Sequence, residues 1–171
     1  GDLPVGTALG DFNGDGYADF VVANLLDSDV SVFINQGDGT FATKVDYSAG
    51  GGAQSVAVGD INGDNASDIV VANSTDGDVS VLTGVGDGTF NTKVDYTAGA
   101  GVVSVALGDL TGDGYVDIAA ANTTDSDVSV LLNQGDGTFA TKVDYPSGTS
   151  PEGVDLGDFN GDGVLDIVVV N

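Results

Sequence analysis

DFNGDGYAD (residues 11–19) sets Asp11, Asn13 and Asp15 at every second position and closes on Asp19. Gly16 lies between them, where a sharp bend needs a residue without a side chain. Two chemistries suit such a stretch. Aspartate, asparagine and glycine form tight turns unaided. They also supply the carboxylate, carboxamide and main-chain oxygens that a hard cation takes at six to eight positions.

The stretch recurs. DINGDNASD starts at Asp60, DLTGDGYVD at Asp109 and DFNGDGVLD at Asp158, each 49 residues after the previous copy. GDGTF recurs at the same interval, from Gly37, Gly86 and Gly135. A fixed period of this length marks stacked supersecondary units, a solenoid or a propeller. The single partial propeller of residues 1–171 divides into units 1–49, 50–98 and 99–147, with a half unit at 148–171.

Within a unit the pattern is β. FATKVDY (41–47) alternates Phe41, Thr43, Val45 and Tyr47 with Ala42, Lys44 and Asp46, as a half-buried strand does. DVSVLL (127–132) opens with the same alternation. DFVVAN, DIVVAN, DIAAAN and DIVVVN are short apolar runs, suited to strands covered on both faces. A further strand precedes each acidic loop, in TALG, SVAVG, SVALG and GVDLG. No window has a helical period. The predicted fold is all-β, a propeller of four-stranded antiparallel blades, about 3.5 blades per chain. Lys44, Lys93 and Lys142 fall on the outermost strand, where an outward lysine discourages edge pairing.

Composition narrows the chemistry. There are 27 acidic residues against 3 basic ones, a formal charge of −24. Without a basic patch, nucleic acid and anionic membrane surfaces are unsuitable partners. No apolar stretch is long enough for a membrane helix. Cysteine and histidine are absent, which removes thiolate chemistry, the usual general base and the commonest transition-metal ligand. Glu152 is the one glutamate, and the obvious aspartate pairs lie in the repeated loops, so no enzyme is expected. The chain opens on Gly1 and shows no signal peptide, which reads as a processed chain or a trimmed piece.

In the first loop Asp11, Asn13, Asp15 and the carbonyl of Tyr17 take positions 1, 3, 5 and 7, and Asp19 closes at position 9. This is similar to the first half of an EF-hand, without its glutamate at position 12 and without flanking helices. Four such loops favour a cation over a plain turn. Three carboxylates drawn together repel one another and raise their own pKa values unless a cation neutralises them. At position 6 the second loop has Asn65, which tolerates positive φ at some cost. At position 3 the third loop has Thr111, whose hydroxyl is a poorer calcium ligand, so that loop is expected to bind most weakly.

GDFNGDGYADFVVAN, VSVLLNQGDGTF and their copies resemble the FG-GAP or VCBS repeats of bacterial surface proteins and of the integrin α-subunit propeller. The resemblance covers the whole chain. It implies a β-propeller with calcium loops joining the first two strands of each blade, about one Ca2+ per loop and four per chain. Carried over position by position, it implies as ligands Asp11, Asn13, Asp15, Tyr17 and Asp19; Asp60, Asn62, Asp64, Ala66 and Asp68; Asp109, Thr111, Asp113, Tyr115 and Asp117; and Asp158, Asn160, Asp162, Val164 and Asp166. The seventh position of each loop serves through its carbonyl. Propellers of this family have about seven blades, and this chain departs from that. A homo-oligomer, most simply a two-fold dimer, would complete a ring. Near-identical copies suit a designed or recently duplicated origin, or an excised half-propeller. If natural, the chain is expected to be secreted or at the cell surface. Its expected role is a calcium-binding adhesion-type scaffold with a protein or glycan ligand, the alternative being a calcium-dependent lectin-like module.

Overall fold

The computed structural model describes all residues, 1–171. It contains fourteen strands and no helix. The first blade is β1 (Pro4–Gly10), β2 (Asp19–Asn24), β3 (Asp29–Phe33) and β4 (Val45–Ser48). The second is β5 (Ala53–Gly59), β6 (Asp68–Asn73), β7 (Asp78–Leu82) and β8 (Val94–Thr97). The third is β9 (Val102–Gly108), β10 (Asp117–Asn122), β11 (Asp127–Leu131) and β12 (Val143–Pro146). Strands β13 (Gly153–Gly157) and β14 (Asp166–Val170) form a two-stranded sheet. Every blade is an antiparallel meander in sequence order. The first strands β1, β5, β9 and β13 lie side by side, so the blades stack around a common inner edge without closing into a ring.

The apolar runs read as doubly covered strands, and the second strands are. In β6 every residue is buried. Ile69 and Val71 enter the core shared with the first blade, and Val70 and Ala72 enter the core shared with the third. Alternation therefore distributes one strand between two interblade cores. Burying a valine or isoleucine contributes roughly 1.5–3 kcal/mol, which fixes β6 in the middle of the stack.

The fourth strand differs from its sequence reading. FATKVDY is not one strand. Only Val45–Ser48 is, while Phe41 makes an isolated bridge with Asn35. The same break frees the phenylalanine side chain in the later blades. Phe90 is 9% exposed and lies edge-on to Phe12 at 5.3 Å and to Tyr47 at 5.2 Å, both in the first blade. Phe139 meets Tyr96 in the same way at 5.1 Å. Phe90 and Phe139 are thus interblade plugs, whereas Phe41 is exposed and meets only Phe20 of its own blade, edge-on at 4.9 Å.

The lysines differ too. Lys44, Lys93 and Lys142 lie just ahead of the fourth strand and fold back onto Asp46, Asp95 and Asp144 two residues later. Each of those aspartates also accepts a hydrogen bond from a serine of the third strand: Ser31 (2.7 Å), Ser80 (2.6 Å) and Ser129 (2.7 Å). Those serines accept in turn from Asn24, Asn73 and Asn122, the buried last residues of the second strands. A polar ladder therefore crosses three strands on every full blade.

Truncating a plug separates interblade packing from blade folding. Phe90→Ala is expected to cost about 3–5 kcal/mol in urea unfolding. Phe41→Ala, at a ring 43% exposed, should cost about 1 kcal/mol or less. Equal losses would contradict the plug assignment.

Candidate metal centre

Each acidic loop is shaped by its own first aspartate. Asp11 Oδ1 accepts the N–H groups of Gly14 (2.8 Å) and Asp15 (3.2 Å), and Oδ2 accepts that of Gly16 (2.9 Å). Asp60, Asp109 and Asp158 repeat the arrangement, accepting Asn65, Gly114 and Gly163 at 2.9, 2.8 and 2.9 Å. Position 6 requires positive φ throughout: Gly16 at 84°, Gly114 at 90°, Gly163 at 87° and Asn65 at 66°. The asparagine substitution is accommodated as its sequence suggests.

Position 5 follows the same rule. Asp15 Oδ1 accepts the N–H of Tyr17 at 2.8 Å, and Asp64, Asp113 and Asp162 accept those of Ala66, Tyr115 and Val164. At position 3 the carboxamide of Asn13 accepts from the Asp15 N–H (3.1 Å) and donates to Asp15 Oδ2 (2.8 Å). Asn62 does the same with Asp64. Asn160 accepts from the Asp162 N–H at 2.9 Å, but its amide reaches towards Asp166 at 3.5 Å. The Thr111 hydroxyl makes only a 3.4 Å contact to Asp109, beside its own N–H at 3.3 Å, so the third loop has no carboxamide bridge.

The closing aspartates do something the spacing does not announce. Asp19, Asp68 and Asp117 are fully buried at the start of the second strand. Asp19 Oδ2 accepts the N–H of Phe12 at the loop entrance (2.8 Å), and Oδ1 accepts that of Asn35, two residues beyond β3 (2.7 Å). Asp68 joins Ile61 (2.8 Å) to Gly84 (2.7 Å), and Asp117 joins Leu110 and Asn133 (both 2.9 Å). Asp166 receives Phe159 at 3.1 Å and no third-strand donor. The repeated x-Asn/Gly two residues after the third strand is the signal that could have revealed the clasp.

Charge follows these contacts. The carboxyls of Asp109 and Asp158 are held below the usual range, chiefly by the N–H groups of Gly114 and Gly163. Asp68 and Asp117 are pushed up, chiefly by burial, against their two N–H donors. Repulsion from the other loop carboxylates also raises them, and it is the smaller cause, not the leading one expected from spacing.

Each loop brings three carboxylates and a polar oxygen around one turn, but no group of three acidic side chains is gathered at metal-holding spacing. In the first two loops every carboxylate oxygen points at a backbone or amide donor, while in the third and fourth Asp113 and Asp162 have a donor on Oδ1 alone. The donor chemistry still fits a hard cation. All side-chain donors are oxygens, and a carboxylate that accepts one or two N–H groups retains lone pairs for a ligand. Tyr17 and Tyr115 are exposed, and each ring packs over the glycine that begins the hairpin of its own blade, Gly37 or Gly135.

The profile of the FG-GAP-like repeat matches residues 11–71, 60–120 and 109–169, so the match runs through every acidic loop. The chain belongs to the FG-GAP-like repeat family. No curated protein matches its sequence. Among solved structures, the FG-GAP-like chain resembles an Agrocybe aegerita lectin described as recognising non-reducing terminal N-acetylglucosamine, with TM-score 0.58, 22% identity, and coverage of 96% of this chain and 42% of that one. The Vibrio cholerae biofilm matrix protein Bap1 matches with TM-score 0.54 and 22% identity over 98% of this chain and 28% of its own. The Tc holotoxin pore of Photorhabdus luminescens gives 0.56 and 22%, over 95% and 8%. The chain spans less than half of each, and at such identity the likeness shows the fold.

The clasp makes a testable claim. In chelator, Asp68→Ala leaves the Ile61 and Gly84 N–H groups without an acceptor and should cost about 2–4 kcal/mol. Asp166→Ala frees one N–H on an exposed loop and should cost under about 1 kcal/mol. Unfolding midpoints in urea distinguish the pair; similar losses would refute the clasp.

Proposed function

We propose that this repeat protein is a calcium-binding scaffold of adhesion type, in which each acidic loop holds one Ca2+ and so stiffens the junction of the first two strands. The observation that carries this reading is the fourfold repetition of an all-oxygen loop whose backbone is already folded by its own first aspartate. The ligands would be the loop residues at positions 1, 3, 5 and 9 and the carbonyl of Tyr17, Ala66, Tyr115 or Val164 at position 7. A divalent ion would also offset part of the −24 charge. The role is binding, not catalytic, and it suits a secreted or cell-surface setting, where free calcium is high.

A lectin-like role would rest on Tyr17 and Tyr115. It is disfavoured because the equivalent positions in the other two loops are Ala66 and Val164, so no aromatic platform repeats.

Calorimetric titration of the chelated chain should show about four Ca2+ per chain, with the third loop weakest. Thr111→Asn should strengthen that loop and bring it level with the rest. At free calcium tenfold above Kd, each site should add roughly 1.4 kcal/mol to stability. An unchanged melt on passing from calcium to excess EDTA would refute the structural role.

The same reading includes self-assembly, since two copies would bring six full blades and two of the β13–β14 type. Light scattering at micromolar concentration should give a mass above that of one 16.9 kDa chain; a folded monomer would reject it.

A further inference from the structure

One buried carboxamide touches two acidic loops. Asn133 lies two residues beyond β11, is 7% exposed, and has both polar atoms of its side chain engaged. Its Nδ2 donates to the carbonyl of Ile61 at 2.8 Å and to that of Val116 at 3.0 Å, and its Oδ1 accepts the Gly135 N–H at 2.9 Å. Ile61 is position 2 of the second loop, and Val116 is position 8 of the third. The Asn133 N–H also reaches Asp117 Oδ1 at 2.9 Å. An amide NH2 group has two hydrogens, and here there is one for each loop.

The junction between the first two blades is built differently. Gly84 occupies the place of Asn133 in the second blade and has no carboxamide. Its N–H still meets Asp68, and a Cβ there would stand 2.4 Å from the carbonyl oxygen of Ser67. The carbonyl of Phe12, at position 2 of the first loop, is held instead by the backbone N–H of Gly88 at 2.8 Å. Asn35, the first-blade counterpart, donates to the carbonyl of Ala18 in its own loop at 3.0 Å. Loops two and three therefore share a donor group, and loops one and two do not.

We infer that Asn133 is a positioning residue that couples the second and third acidic loops, so that these two order together while the first orders alone. The loop pair has two arrangements. With the amide bridging, the Ile61 and Val116 carbonyls are both fixed, and so are the peptide units that lead into Asn62 and Asp117. When the third loop loosens, Val116 moves, the amide turns with it, and Ile61 loses this donor. Ile61 is 2% exposed, and a buried carbonyl deprived of its donor is costly, so the second loop is weakened by an event in the third. The effect runs equally in reverse, as any coupling between two sites must. A ligand that orders either loop favours the bridged arrangement and thereby prepares the other. That this ligand is Ca2+ rests on the function proposed above; the link between the loops rests on the hydrogen bonds alone.

The test begins in chelator. Asp109→Ala removes the carboxylate that winds the third loop, and amide exchange is followed in the other two. Exchange at Gly63 and Asn65, whose N–H groups bond Asp60, should quicken about fivefold, while Gly14 and Gly16 of the first loop stay as they were. In an Asn133→Gly chain, which has the glycine of the second blade at this position, Asp109→Ala should add nothing further at the second loop. A purely structural role for Asn133 would make the two substitutions additive. Calorimetry supplies the calcium arm: Asp60→Ala should weaken uptake at the third loop about fivefold, and should leave it unchanged once Asn133 is glycine. An undisturbed second loop, equal disturbance of the first and second, or additivity with Asn133→Gly would each overturn the coupling. The first two of these outcomes are read without any change at Asn133. Coupled exchange in a chain that takes up no calcium would sink the metal reading and leave the coupling standing; calcium uptake with uncoupled exchange would do the opposite.

Discussion

The fold hangs on a buried carboxylate that touches two strands it does not belong to. The aspartate at the start of each full blade's second strand accepts one N–H from the acidic loop and another from the segment just past the third strand. Strands one, two and three are thereby fixed at the same end of the sheet. Both donors lie where no sheet ladder can reach them, and a buried N–H without a partner is costly. Only a side chain with two acceptor oxygens satisfies both; an asparagine would turn its NH2 group towards one of them. Burial raises the cost of the charge on Asp68 and Asp117, and the two N–H groups offset part of it.

The clasp also explains why the acidic loop and the GDG hairpin share a period. Both lie at the end of the blade that the clasp organises, and the hairpins of the second and third blades lean on the loop of the preceding blade. The Gly88 N–H donates to the carbonyl of Phe12 (2.8 Å), and the Asn133 amide donates to the carbonyl of Ile61 (2.8 Å). The approach is close: a Cβ on Gly137 would stand 2.9 Å from Cβ of Asn62, at a φ of 80° that already favours glycine. Loop, clasp and neighbouring hairpin form one mechanical unit, so whatever stiffens a loop also stiffens the junction between blades.

The repeat, the four-stranded blade and the doubly covered second strand were legible because each is a periodicity, in the chain or along a strand. What escaped was decided by contacts across strands or between blades. FATKVDY alternates as a strand should, yet its first half leaves the sheet, and in the two later copies the freed ring, Phe90 or Phe139, plugs the adjacent core; alternation describes two faces of one sheet and is silent about a second sheet. The lysines have the composition of edge guards, but an aspartate two residues on and a serine across the strand draw them back. Spacing places Asp19 at position 9 of the loop, but it does not announce that one of its partners lies sixteen residues away, at Asn35. The loop positions were legible as residue types, whereas their hydrogen-bonding directions were not.

Acid is spread over both ends of the blades, and the two ends use it differently. At the far end Asp27, Asp76 and Asp125 sit in the turns between second and third strands, and each accepts one backbone N–H, from Asp2, Gly51 and Ala100 respectively. There a single carboxylate meets a single donor, and the remaining charge is solvated. At the loop end three carboxylates fall within nine residues; the first two, Asp11 and Asp15, take their N–H partners from inside the turn, at positions 4, 5, 6 and 7, and the third, Asp19, from Phe12 and Asn35. An isolated turn needs one aspartate to close; the second and third add repulsion without adding a turn. The proposed cation would offset that excess at the loop end, and the single carboxylates of the far end have no such excess to offset.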